Sequence, residues 1–282
     1  MKISRRSLLK SLAAGAAVST LGTSPAPARE APLRRFVRFQ KGSEAPAYGV
    51  LDETRVTELL GAPFDGVRMG TKSYGLADVK LLSPCEPSTI LAMAGNYRSH
   101  LADQPTPKNP EAFFKPTSAL LEQGGAIVLP QGTNDVHYEG ELVIVIGKRA
   151  KDVSPDAALS HVFGYTCGND VSARDWQKND RQWWRAKGCD TFAGLGPWIV
   201  HDIDAADLLL TTRLNGKEVQ KARTKELIFG VREIVSFLSR HTTLNPGDLI
   251  YTGTPGTTSA MKKGDVVEVE IEGIGTLRNT VA

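Results

Sequence analysis

The sequence predicts a mixed α/β chain dominated by β-strands, with few helices and a small β-rich unit ahead of the main domain. Three features point there. Short apolar runs bounded by turn residues recur through residues 33–82. Leu142-Val143-Ile144-Val145-Ile146 is apolar without interruption, the pattern of a strand covered on both faces. Val267, Val269 and Ile271 alternate with Glu268, Glu270 and Glu272, the pattern of a strand with one face in water.

In chain order, residues 1–28 read as a removable leader. Ser4-Arg5-Arg6-Ser7-Leu8-Leu9-Lys10 sets a twin arginine before a short segment rich in Ala and Gly, and Ala26-Pro27-Ala28 supplies a small-x-small cleavage site. That layout is an export signal of the twin-arginine type; the competing reading is a basic amphipathic start on a cytosolic protein. The apolar part is too short to anchor in a bilayer. The twin-arginine export machinery is therefore an expected partner. The mature form is expected to be periplasmic or otherwise exported, soluble, and without a stable membrane anchor. The leader holds Lys2, Arg5, Arg6 and Lys10 and no acid, so the formal charge of +3 becomes −1 (3 − 4) without it. No basic cluster remains to favour nucleic acid. Cys85, Cys167 and Cys189 lack CxxC spacing, which argues against a disulfide framework or a zinc site. One bridge in an oxidising compartment and three buried thiols both fit.

Residues 29–87 form the small unit. Its strands are Phe36-Val37-Arg38-Phe39, Tyr48-Gly49-Val50-Leu51 and Arg55-Val56-Thr57-Glu58-Leu59-Leu60, with Asp52-Glu53-Thr54 as a turn. Pro84, Glu86 and Pro87 break the pattern, and residues 88–282 form the main domain. Its first strand, Ile90-Leu91-Ala92-Met93-Ala94-Gly95, runs into Asn96-Tyr97-Arg98-Ser99-His100. The Pro- and Asn-rich connection 104–110 reads as a lid or as a passive surface loop. Leu227, Ile228, Val231, Ile234, Val235 and Leu238 recur at three- and four-residue spacing, which predicts one amphipathic helix with Thr224 as its N-cap.

The chemistry begins at Tyr138-Glu139-Gly140-Glu141, which opens the buried strand. Residues two apart share a face, so Glu139 and Glu141 stand side by side. Two carboxylates at the mouth of a buried strand repel each other and resist losing water. A hard divalent cation resolves that conflict, and a third carboxylate from a neighbouring loop completes an all-oxygen site for Mg²⁺, Mn²⁺ or another divalent cation. The plain alternative is a solvated strand face.

Seven segments then line up in order. They are Gly95-Asn96-Tyr97 with His100 and Asp103, Phe114-Lys115-Pro116, the Glu-Gly-Glu segment, Gly164 to Gln177, Lys187-Gly188-Cys189-Asp190-Thr191-Phe192, Gly196-Pro197-Trp198, and Tyr251-Thr252-Gly253-Thr254-Pro255. In this order and at these spacings the chain resembles the fumarylacetoacetate hydrolase family over roughly residues 88–281. The resemblance implies a mixed β-sandwich roll, a homodimer, and an active site in the mouth of the roll. It implies Mg²⁺ or Mn²⁺ held by Glu139, Glu141 and Asp170; taken alone, Asp170 also suits an Asx turn. It makes His100 the base and Lys187 a neighbour of the metal and substrate oxygens. Asp103 stands where the family commonly has Glu, one methylene longer, and meets His100 only if this stretch is helical. Arg174, Gln177 and Thr254 correspond to substrate-holding positions, Arg being suited to a bidentate carboxylate contact. Gly256-Thr257-Thr258-Ser259 replaces the family's usual Gly-Val-Gly run, which allows a different substrate shape. His137 lies nearest the site but has no motif support and is assigned at most a supporting place behind it.

The expected substrate is a small carboxylate. The expected activity is hydrolysis of a carbon–carbon bond in an acylpyruvate-type 2-oxo acid through a metal-bound enolate. A lyase, isomerase or dehydratase of the same family is the alternative, and an exported carboxylate-binding protein without turnover is the remote one.

Overall fold

In the computed structural model, which describes residues 33–282, the apolar run forms the strand Gly140–Ile146, and every residue of it is buried. The predicted leader lies outside the described residues. Alternation sends Leu142, Ile144 and Ile146 into one core with Leu210, Val269, Ile271 and Leu277. Val143 and Val145 go to the opposite core with Phe36, Ile90, Ala92, Leu195 and Tyr251. Each such aliphatic side chain contributes about 1.5–3 kcal/mol by leaving water, so a strand buried on both faces is a strong anchor.

Gly140–Ile146 pairs antiparallel with Val162–Asp170 on one side and Leu249–Tyr251 on the other. Beyond Leu249–Tyr251 come the parallel neighbour Ile90–Ala94 and the edge strand Glu111–Lys115. Beyond Val162–Asp170 comes Ala193–His201, then Arg34–Gln40 and the antiparallel strands Ala47–Asp52, Arg55–Leu59 and Met69–Gly75. The N-terminal strands are therefore hydrogen-bonded into the sheet of the main domain. A five-stranded sheet, including Leu209–Leu214, Val266–Ile271 and Gly275–Val281, packs against the first across the Leu142 core. Gly140 separates the two acids because the sheets approach closely there: a Cβ would stand 2.0 Å from Thr212 Oγ1.

The strand Val266–Ile271 alternates as its sequence predicts, and its outward glutamates find cations: Glu268 meets Arg278 and Glu270 meets Arg213, while Glu272 just beyond meets Arg223. The predicted helix is shorter at its start than its apolar spacing suggests. It spans Val231–His241 with Gly230 at the N-cap. Thr224 is instead spent on a separate turn, where its hydroxyl donates to Ala205 O and accepts from Leu208 N. All three cysteines are free thiols. Among the described residues no helix is long and apolar enough to cross a membrane.

Buried Asp248 fixes the register at the entry to the main domain. Its Oδ1 accepts from Ser88 N at 3.0 Å, Ser88 Oγ at 2.8 Å and Thr89 N at 2.8 Å, and Oδ2 accepts from Asn245 N at 2.7 Å. Replacing it removes all four of these partly buried hydrogen bonds at once. Asp248→Ala is expected to destabilise the fold by about 2–4 kcal/mol, read as a lower urea midpoint at unchanged slope.

Candidate active site

The backbone brings the acids together in two moves. Glu139 and Glu141 precede and open the strand Gly140–Ile146, and Asp170 ends the antiparallel strand beside it, with Gly140 opposite Asn169. Asn169 Oδ1 accepts from Glu139 N at 2.9 Å, and Asp170 N donates to Glu139 O at 2.9 Å. All three carboxylates are buried, and one oxygen from each lies within 4.8 Å of the other two.

Positive charge follows them inside. Lys187, from the short helix Trp184–Gly188, is 2% exposed and donates to Glu139 Oε2 at 2.6 Å and to Asp170 Oδ2 at 2.7 Å. Lys115 ends its strand equally buried, donating to Asp170 Oδ1 at 2.5 Å and to the Lys187 carbonyl. Arg174 Nη2 donates to Glu139 Oε1 and, at 2.9 Å, to Thr258 Oγ1. Burial would raise the Glu139 carboxyl, but Lys187, Arg174 and His100 overcome it and hold Glu139 well below the usual range. Glu141 goes the other way: burial, then Asp170 and Glu139, push it well up against the weaker pull of Lys187 and the Gly253 amide.

The cluster suits a cation. Glu141 Oε2 accepts from Gly253 N at 2.6 Å, whereas Oε1 is buried with no hydrogen-bond partner among the described residues. An orphaned carboxylate oxygen beside two further carboxylates is a hard-oxygen donor set of the kind Mg²⁺ and Mn²⁺ take. Glu139, Glu141 and Asp170 are the residues that would hold it.

His100 sits on a single turn, Arg98–His100. Its Nδ1 is 2.6 Å from Gly256 O, an acceptor only, so Nδ1 carries the proton. In the neutral ring Nε2 then offers its lone pair, 3.8 Å from Glu139 Oε1. Asp103 does not join it. Ala102 adopts φ +49°, which ends the helical turn, and Asp103 is exposed. Arg174 begins the helix Arg174–Asn179, and its Nη1 donates to Gln177 Oε1 at 2.7 Å, one turn on. Thr254 faces the inner cavity, but its hydroxyl proton goes to Gly140 O at 2.9 Å while it accepts from Gln220 Nε2 at 2.8 Å.

A small inner cavity of about 40 Å³ is lined by His100, Phe113, Glu139, Gln177, Lys187 and Thr254. It shares His100, Gln177 and Trp183 with an outer cavity of about 430 Å³ bounded by Arg174, Leu101 and Gln104. A larger cavity, about 670 Å³, lies at the opposite ends of the same strands and includes none of these residues. Lys115 has no role in the sequence reading, although it lies in the Phe114-Lys115-Pro116 segment of the family resemblance; a lone lysine is usually a surface residue, and only its apolar flank Phe113-Phe114 hints at burial.

Residues 89–282 match the family described as fumarylacetoacetate (FAA) hydrolase C-terminal, and residues 34–84 match that described as Rv2993c-like, N-terminal. The chain belongs to the fumarylacetoacetate hydrolase family. It is 45% identical over 238 residues to Protein Rv2993c of Mycobacterium tuberculosis, covering 83% of this chain and 90% of that one. It is 39% identical over 220 residues to a bovine mitochondrial oxaloacetate tautomerase, FAHD2A, covering 73% and 70%. A solved structure described as 5-carboxymethyl-2-hydroxymuconate delta-isomerase from Mycobacterium smegmatis superposes with TM-score 0.83 at 42% identity, covering 88% and 99%.

Metal binding is directly measurable. Mg²⁺ or Mn²⁺ at a hundred times its Kd should stabilise the protein by about 2.7 kcal/mol, and Glu141→Ala should remove most of that gain at the same concentration. An unchanged gain in the variant would remove Glu141 from the metal site. Because Glu141 is pushed up, protons compete with the cation there, so affinity should rise with pH and fall as the solution is acidified.

Proposed function

We propose that the protein is a divalent-metal-dependent enzyme that moves a proton on a small 2-oxo acid, interconverting its keto and enol forms. The observation that carries this is His100: Nδ1 is pinned by Gly256 O, Nε2 faces the cavity 3.8 Å from Glu139 Oε1, and among the described residues no carboxylate hydrogen-bonds the ring to make a water-activating dyad. A divalent cation, when bound, would polarise the 2-oxo carbonyl as a Lewis acid.

The chain's own groups supply the rest. Three carboxylates face three cations, Lys115, Lys187 and Arg174, so a divalent ion leaves the mouth positive and suited to a doubly charged substrate. Arg174 and Gln177, already side by side, orient the substrate carboxylate. His100 Nε2 takes the proton from the carbon next to the carbonyl. Lys187 uses two of its three N–H bonds on Glu139 and Asp170, leaving one for the oxygen that gains charge. The proton then returns from Nε2 to oxygen or carbon. The relatives described as an oxaloacetate tautomerase and a delta-isomerase support proton transfer without bond hydrolysis.

Acylpyruvate hydrolysis is the second reading. The outer cavity favours it, because the space bounded by Leu101, Gln104 and Pro107 has room for an acyl group and an attacking water.

Oxaloacetate, acetylpyruvate and fumarylpyruvate, each with Mg²⁺, Mn²⁺ or EDTA, separate the two. Loss of the enol absorbance of oxaloacetate faster than in buffer, abolished by EDTA, supports tautomerisation; metal-dependent release of pyruvate plus an acid transfers the protein to hydrolysis. Under the first outcome His100→Asn should lower kcat by about 10²–10⁴-fold, whereas Asp103→Asn should leave kcat/KM within about threefold of wild type. A hundredfold loss in Asp103→Asn would make the exposed aspartate a working partner of His100 and overturn its exclusion from the site.

A further inference from the structure

Thr258 belongs to the stretch that departs from the family's usual glycine-rich run, and the structure gives it specific partners. Asp135 Oδ1 is 2.7 Å from His137 Nε2, and His137 Nδ1 is 2.8 Å from Thr258 Oγ1. Thr258 Oγ1 in turn accepts from Arg174 Nη2 at 2.9 Å. Donor and acceptor counting gives this chain one direction. An ionised carboxylate only accepts, so Nε2 carries the ring proton and Nδ1 is left as an acceptor. The single hydroxyl proton of Thr258 goes to Nδ1, and its lone pairs face Arg174, which only donates.

The backbone holds the same four residues in one frame. Arg174 N donates to Asp135 O at 2.8 Å, Met261 N donates to Val136 O at 2.8 Å, and His137 bridges to Ala260. The strand Val136–His137, the loop 256–260 and the start of the Arg174 helix are thus fixed to one another. His137 presents both ring nitrogens to this chain and none to the acidic cluster. It therefore has a use that its nearness to Glu139 does not suggest.

From these contacts we infer that Thr258, oriented by His137 and Asp135, is a positioning residue that sets the plane of the Arg174 guanidinium across the mouth of the site and thereby tunes its grip on a substrate carboxylate. This rests on the 2-oxo-acid reading only in assigning Arg174 to that carboxylate. Arg174 keeps its bonds to Glu139 and Gln177 without Thr258, but it loses the contact that stops the guanidinium from turning about them. The role is one of orientation: Thr258 touches neither of the cavities that hold the reacting groups.

The test compares Thr258→Val, which removes the hydroxyl at nearly constant shape, with Thr258→Ser, which restores it. Oxalate, a small dianion, serves as the probe, its binding measured by calorimetry in excess Mg²⁺; KM and kcat for oxaloacetate are measured alongside. Thr258→Val should weaken oxalate and raise KM by roughly tenfold, with kcat within about twofold, and Thr258→Ser should return both to within about twofold of wild type. Mg²⁺ affinity should not move. Equal oxalate affinity in wild type and Thr258→Val overturns the inference, as does failure of the wild type to bind oxalate. If oxaloacetate is not turned over but Thr258→Val still weakens oxalate, the positioning role stands and the tautomerase reading falls. Should Thr258→Val not fold, His137→Asn, which keeps an acceptor toward Thr258, against His137→Phe, which does not, reads the same contrast.

Discussion

A carboxylate that loses its water needs positive charge in water's place, and three of them buried together need it from several directions. Here Lys115, Lys187 and Arg174 come from a sheet edge, a five-residue helix and the first turn of another helix, and all end on Glu139 or Asp170. Removing one partner of a buried ion pair costs far more than the pair contributes, because the remaining charge is stranded. The edge strand and both helices are therefore tied to the acids by charge as well as held by their own packing. Glu141 is the exception that gives the site its capacity: it has an amide on one oxygen and, among the described residues, no partner on the other.

The scaffold tolerates this charge because apolar packing is concentrated on the strand that carries it. Gly140–Ile146 feeds two cores at once, so the mouth of the roll is fixed by residues far from the chemistry. Backbone groups finish the positioning. The Gly253 amide aims Glu141, and a residue with a Cβ would be strained at its φ of +104° and would meet Asn96 at 2.8 Å. Asn96, one of the motif residues without an assigned role, bonds Phe229 and Thr252 and so supports that turn from beneath.

Much of this was legible in the chain. The doubly covered strand, the shared face of Glu139 and Glu141, and the pairing of Arg174 with Gln177 follow from periods of two and 3.6 residues, which are local. What was not legible depended on distant contacts or on single backbone angles. The start of the helix at Val231 could not be read from apolar spacing, because Leu227 and Ile228 keep the helical interval while pairing with Tyr97 and Asn96 instead. The distance between His100 and Asp103 turns on one left-handed residue, Ala102, a conformation no alanine advertises. Lys115 and Thr258 acquire their roles only when strands far apart in sequence are laid side by side.

The seam between Arg34–Gln40 and Ala193–His201 has a consequence for how the chain can be handled. Ala193–His201 lies between the N-terminal strand and the strand that ends in Asp170. A fragment beginning at the main domain would uncover the Ile199–His201 end of this strand, while Leu120–Leu121 still pairs with Ala193 and Gly194, and the freed backbone groups would be open to pairing with another chain. The N-terminal strands, far from the carboxylates in sequence, act as the cover that keeps the end of this strand remote from Asp170 from offering itself to a neighbour.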